Sequence, residues 1–156
     1  MPEIKRKVIL GLGNILNHDE GLGVHALQRM DSSWESRGGF ELLDGGVLGL
    51  NLLMIVEECS HLLILDAVNA GKMPGTVIEL KKDQIPLYSG ITLSQHQTTF
   101  QEVLGLAKVR DNLPEHIHLV GIQPLDLSIG LGLSPDIEHA LPEMLEKAES
   151  ILMSWS

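Results

Sequence analysis

The order of apolar segments predicts a three-layer α/β fold, with helices on both faces of a mostly parallel sheet and one antiparallel strand. Three observations carry this expectation. Continuous apolar runs at 8–12 and 61–68 lack the in-out alternation of a half-exposed strand and suit strands buried on both faces. Segments with apolar residues at helical spacing fall between the strand-like runs. The run 76–80 follows its predecessor too closely for a parallel crossover, which needs about a dozen residues or more, so it is expected to run antiparallel to it.

The first strand, 8–12, stops at Gly13-Asn14, and a helix over 20–30 follows with Val24, Leu27 and Met30 on one face, broken by Gly38-Gly39. A second strand, 40–43, runs into Asp44-Gly45-Gly46, and Leu50, Leu53 and Met54 then mark a second helix. The most apolar stretch, 61–68, is the expected central strand, with Asp66 at its carboxyl end. A Gly/Pro turn at 69–75 precedes the strand 76–80, and 83–97 reads as a long loop. Phe100, Val103, Leu104 and Ala107 define a helix ending before Asn112-Leu113-Pro114, and 118–122 is the last strand. After a loop over 123–133, Ser134 as N-cap and Pro135 at the first helical position open a terminal helix. Its buried stripe is Ile137, Leu141, Leu145, Ala148 and Leu152, and Pro142 is expected to bend it.

A chain of 156 residues is expected to build one domain, 1–156. At 44% hydrophobic and 21% charged it has the material for a core, made of aliphatic residues because aromatics supply only 3%. The formal charge of −10 would repel phosphate backbones and anionic lipid, which argues against nucleic-acid and membrane partners. The single cysteine, Cys59, closes no internal disulfide and builds no thiolate cage. With neither a signal-type segment at the start nor an apolar run near the ~18 residues of a membrane span, the expected location is the cytoplasm.

Ligands of such sheets bind beyond the carboxyl ends of the strands. The polar residues there are Gly13-Asn14-Ile15-Leu16-Asn17-His18-Asp19-Glu20 after the first strand, Asp44 after the second and Asp66 after the third, with Ser94-Gln95-His96-Gln97 in the long loop. Glu20, Asp66 and His96 would make a mixed oxygen and nitrogen set with open positions for water or substrate. Each also has a plain structural reading. Glu20 suits a helix start, Asp66 or Asp44 can cap a turn, and a loop histidine needs no ligand. His116 and His118 alternate on a strand, one expected exposed and one packed, whereas His18, His25, His61 and His139 have no partner legible in the sequence. A dinucleotide loop at Gly11-Leu12-Gly13 fails because Leu16 stands at the sixth position and acidic residues open the helix. No G-x-S-x-G elbow occurs.

In combination these segments resemble the maturation endopeptidases of nickel-iron hydrogenases, the hydrogenase maturation protease family, over nearly the whole chain. The resemblance rests on Gly11-Leu12-Gly13-Asn14-Ile15-Leu16, Asp19-Glu20-Gly21-Leu22-Gly23-Val24, Leu43-Asp44-Gly45-Gly46 and Leu65-Asp66-Ala67. Pro74-Gly75-Thr76, Ser94-Gln95-His96-Gln97 and Gly121-Ile122-Gln123-Pro124 extend it. It implies a five-stranded mixed sheet between helices. It also implies an endopeptidase that removes the C-terminal extension of a hydrogenase large-subunit precursor once nickel is inserted. Family metal-binding positions fall on Glu20, Asp66 and His96, and the Asp-Gly-Gly motif makes Asp44 a substrate-site residue; hydrolysis is open to two routes, a metal that polarises the scissile carbonyl and acidifies a water, or Asp44 as general base. Nickel would arrive with the precursor, other divalent ions such as zinc or cadmium could fill the same ligand set, and the family leans towards monomers. Gln95 and Val47 depart from common family residues and bear on substrate choice. The competing expectations are a noncatalytic nickel-sensing chaperone of the precursor and a general zinc metallopeptidase.

Overall fold

The computed structural model describes residues 5–46, 49–85 and 95–156, with side chains at all of these except 49–50 and 95–99. Five strands form one sheet: β1 (Arg6–Leu12), β2 (Phe40–Gly46), β3 (Cys59–Ala67), β4 (Val77–Lys81) and β5 (His116–Ile122). Their order is β2-β1-β3-β5-β4. The helices are α1 (Leu22–Gln28), α2 (Ser33–Gly38), α3 (Leu53–Glu58), α4 (Gln95–Val109) and α5 (Pro135–Trp155). All strand pairs are parallel except β4 with β5. The antiparallel direction of β4 is as expected. Its neighbour, however, is β5 rather than β3, because β5 takes the place beside β3 and leaves β4 at the edge.

Both faces of the central strands are buried, which explains their unbroken apolar runs. Odd-numbered residues Ile9, Leu63 and Leu65 pack under α1, α2 and α5; even-numbered Val8, Leu10, Leu62 and Ile64 pack under α3 and α4. The terminal helix runs unbroken from 135 to 155 through Pro142. Helix α2 has no sequence periodicity because only Trp34 is buried on it. It is held locally: the Asp31 carboxylate accepts from the Ser33 N–H at 2.9 Å, the Arg37 guanidinium lies 4.1 Å from the Trp34 ring centroid, and Gly39 closes it at φ +69°. Among the described residues no helix is long and apolar enough to cross a membrane.

At the amino ends of the strands, the His61 and His116 rings stack at 4.4 Å between centroids, and Trp155 meets His61 and His118 edge-on. His61, in addition, shares a 2.8 Å hydrogen bond with the Ser60 hydroxyl. Burial, the stacked His116 and nearby Lys7 hold His61 below the usual imidazole range; burial holds His118 below it against the pull of Glu79. The unfolded chain therefore takes up protons near pH 6.5 that the folded chain refuses. Stability is full above that value and declines as pH falls through the lowered folded values. The melting temperature is expected to drop between pH 7 and 5, and a His61→Gln/His118→Gln variant to flatten that slope. The lowered carboxylates, Glu41, Glu57 and Glu138 with an ordinary value of 4.5 and Asp31 and Asp126 with one of 3.8, lose their contribution mainly below those values, outside this window. An equally steep slope in the double variant would remove the histidines as its cause.

Candidate active site

The start of α1 lies directly on the carboxyl ends of β1 and β3: a methyl group on Gly23 would overlap the carbonyl oxygens of both Leu12 and Leu65. The 3₁₀ turn His18–Gly21 that precedes α1 is thus drawn over the strand ends, and the expected helix over 20–30 is divided between this turn and α1. Gly13, at φ +130°, turns the chain off β1 so tightly that a Cβ would overlap the Glu20 carbonyl oxygen. Glu20 is only 9% exposed as a result. Asp66, the penultimate residue of β3, is fully buried opposite Gly121 of β5, and its Oδ1 accepts the Ala67 N–H at 2.7 Å.

Asp44 is exposed at the end of β2, level with Gly11 of β1 and Leu65 of β3. Two strand spacings, roughly 10 Å, separate its backbone from that of β3. His96 lies in the first turn of α4, where the sequence predicts a loop reaching 97. Ser94 and the stretch 86–94 lie outside the described residues, as do Val47 and the side chains of Gln95, His96 and Gln97. The other end of α4 is fixed near the amino ends of the strands, since Arg110 binds Glu57, at the end of α3 and two residues before β3, at 2.7 Å. A helix of 15 residues rises about 22 Å, and α4 packs against both α3 and the turn Gly49–Leu52 that follows β2.

Asp19, which the sequence shows only as one member of the polar run after β1, has a structural role of its own. Fully buried, it accepts backbone N–H groups from Leu125, Asp126 and Ser134 at 3.0, 2.9 and 2.7 Å, and the Ser134 hydroxyl at 2.7 Å. The charge is thereby compensated by donors rather than by a cation. Ser134 makes no side-chain cap on α5 because its hydroxyl is turned to Asp19. Further ties join the same loops: His18 N–H to Gly130 O at 2.9 Å, Gly130 N–H to Leu16 O at 2.8 Å, and His18 Nδ1 to Gly132 O at 3.0 Å. His18 therefore has a partner that lies 114 residues away and is invisible to spacing arguments. Gln123 performs a similar service after β3, accepting the N–H groups of Ala70 and Lys72 and donating to Asn69.

The buried carboxylates among the described residues are Asp19, Glu20 and Asp66, all at this one end of the sheet. Asp19 is committed to backbone and hydroxyl donors, and Asp66 accepts the Ala67 N–H. No group of three metal-ligating side chains forms among the described residues. The glycine segment 11–13 packs against protein backbone instead of opening a phosphate cradle. Cys59 begins β3 at the opposite end; burial pushes its thiol up to about 12, so it is no nucleophile at neutral pH.

The profile of the hydrogenase maturation protease family, HycI, matches residues 24–151. The hydrogenase expression/formation protein HupD of Rhizobium leguminosarum is 39% identical over 156 residues, covering 99% of this chain and 77% of the relative. The hydrogenase 2 maturation protease of Escherichia coli is 32% identical over 148 residues, covering 94% of this chain and 90% of the relative. The solved structure of the hydrogenase-maturating endopeptidase HybD from E. coli superposes with a TM-score of 0.85 at 31% identity, covering 97% of this chain and 94% of that one. Sheet order and matches across most of the length converge on one assignment: the chain belongs to the hydrogenase maturation protease family and is a peptidase.

Proposed function

We propose that this peptidase removes the C-terminal extension of a nickel-iron hydrogenase large-subunit precursor after nickel insertion, acting as a monomer in the cytoplasm. The observation that carries the reading is the burial of Glu20 and Asp66 together at the carboxyl ends of β1 and β3, in a chain of this family. Nickel belongs to the substrate. Carboxylate oxygens from Glu20 and Asp66 with an imidazole nitrogen from His96 form a donor set that nickel(II) accepts, and its high place in the Irving–Williams order lets a partly open set suffice. The three residues would read whether the precursor is loaded, and hold the scissile segment beside them.

Hydrolysis then needs a base. Asp44, exposed at the end of β2, is the carboxylate assigned to take a proton from the attacking water and to pass it to the leaving amine. Mass spectrometry of the nickel-loaded precursor mixed with this protein tests the reading. Loss of a C-terminal peptide from the loaded but not the nickel-free precursor is expected. An unshortened loaded precursor would favour a chaperone, whereas cleavage of unrelated peptides with retained zinc would favour a general metallopeptidase. Asp44→Asn separates recognition from hydrolysis: it should still bind the loaded precursor but cut it about a hundredfold more slowly. A normal rate in that variant would pass the base role to a nickel-bound water.

A further inference from the structure

The two loops that Asp19 ties together carry an unusual concentration of exposed aliphatic side chains. Of the eleven large hydrophobic residues exposed among the described residues, six lie here: Ile15, Leu16, Leu125, Leu127, Ile129 and Leu131. The two loops are joined by hydrogen bonds. Asn17 pairs with Gly130 in a parallel bridge, the Asn17 side-chain amide donates to Leu127 O at 3.1 Å, and the Asp19 N–H donates to Asp126 O at 2.9 Å. The single carboxylate in the 123–133 loop, Asp126, is occupied by the Ser128 N–H and hydroxyl. A chain of net charge −10 thus presents an apolar, nearly uncharged lip, continuous through Asp19 with the turn that bears Glu20.

We propose that this lip is the docking surface for an apolar stretch of the precursor polypeptide next to the segment delivered to Glu20 and Asp66, a proposal that rests on the function given above. The exposed area of the six residues, on the order of 600 Å², matches the largest apolar patch of an ordinary monomer, which is often functional. It falls short of the roughly 800 Å² per partner of a standard stable interface, so it suits a substrate held transiently better than a second copy of the chain. Pairing two copies would also bring two chains of charge −10 together. The loops are held in place by hydrogen bonds before any partner arrives, which lowers the ordering cost of binding.

Ile129 and Leu131, at 88% and 74% exposure, can be changed with little effect on folding. An Ile129→Ser/Leu131→Ser variant is expected to raise KM for the loaded precursor about tenfold, the worth of one partly buried aliphatic side chain, with kcat within about twofold of the wild type. Met153→Ser, a change at another exposed aliphatic residue at the far end of α5, should leave both constants alone. Direct titration of the loaded precursor should show the same tenfold loss in Kd for the double variant. Equal KM and Kd overturn the lip. A wild-type protein that binds the precursor without cutting it overturns the proposed function while the Kd comparison still decides the lip; one that neither binds nor cuts overturns both. Sedimentation that shows a wild-type dimer dispersed by the double variant, with KM unchanged, identifies a self-association surface and overturns the proposal.

Discussion

Glu20→Gln, Asp66→Asn and His96→Ala proteins are each expected to leave the nickel-loaded precursor at full length while the wild type shortens it. The amide variants keep the shape and remove one negative charge and the better ligand oxygen. Asp66→Asn can retain the Oδ1 acceptor for the Ala67 N–H, so loss of function there cannot be blamed on that bond. Even outer partners of a metal ligand typically cost about 10- to 100-fold on removal, so a direct ligand should cost about a hundredfold or more. Precursor mass after a timed incubation reads the activity. Melting temperatures within a few degrees of the wild type would show the fold intact. A variant that processes at the wild-type rate removes its residue from the site.

The parts of this molecule that were legible in the sequence are those set by period and position. Strands buried on both faces show as unbroken apolar runs, and 61–68 announced the centre of the sheet. The spacing between 68 and 76 was enough to give β4 its direction, but no spacing rule could tell that β5 would insert between it and β3. Helix α2 was missed because one buried tryptophan makes no period. At the site, Glu20 and Asp66 stood out because strand ends are where an open α/β sheet binds ligands, and both prove buried there. Asp19 was hidden beside them. As part of a polar run it reads like any acidic residue at a helix start, and its four donors come from residues more than a hundred positions away. Ser134 does stand at the N-cap of α5 with Pro135 after it, as the sequence predicts, but the buried carboxylate outbids the helix for its hydroxyl.

Asp19→Ala is expected to be the most destabilising single change at this end of the sheet. It leaves three backbone N–H groups and one hydroxyl without their acceptor around a position that has no solvent exposure, and an alanine methyl replaces none of those bonds. Leaving a buried donor unsatisfied costs about 1–3 kcal/mol; the four donors share one anchor and are not independent, so the total should be about 4 kcal/mol. For a chain of this size that corresponds to a fall of roughly 10 °C in melting temperature. Asp19→Asn should lie between the two, because one amide oxygen can still accept while the NH₂ group faces donors. Hydrogen exchange distinguishes a local from a global effect. Amides of the segments 14–19 and 125–134 should lose protection first, while β3, held from both sides by β1 and β5, keeps it. An Asp19→Ala protein that melts with the wild type, its 125–134 amides still protected, would mean that the bridge at Asn17 and Gly130 holds the loops unaided. The rank order among Asp19, Asn and Ala at this position therefore measures how much of the site's geometry one buried charge maintains.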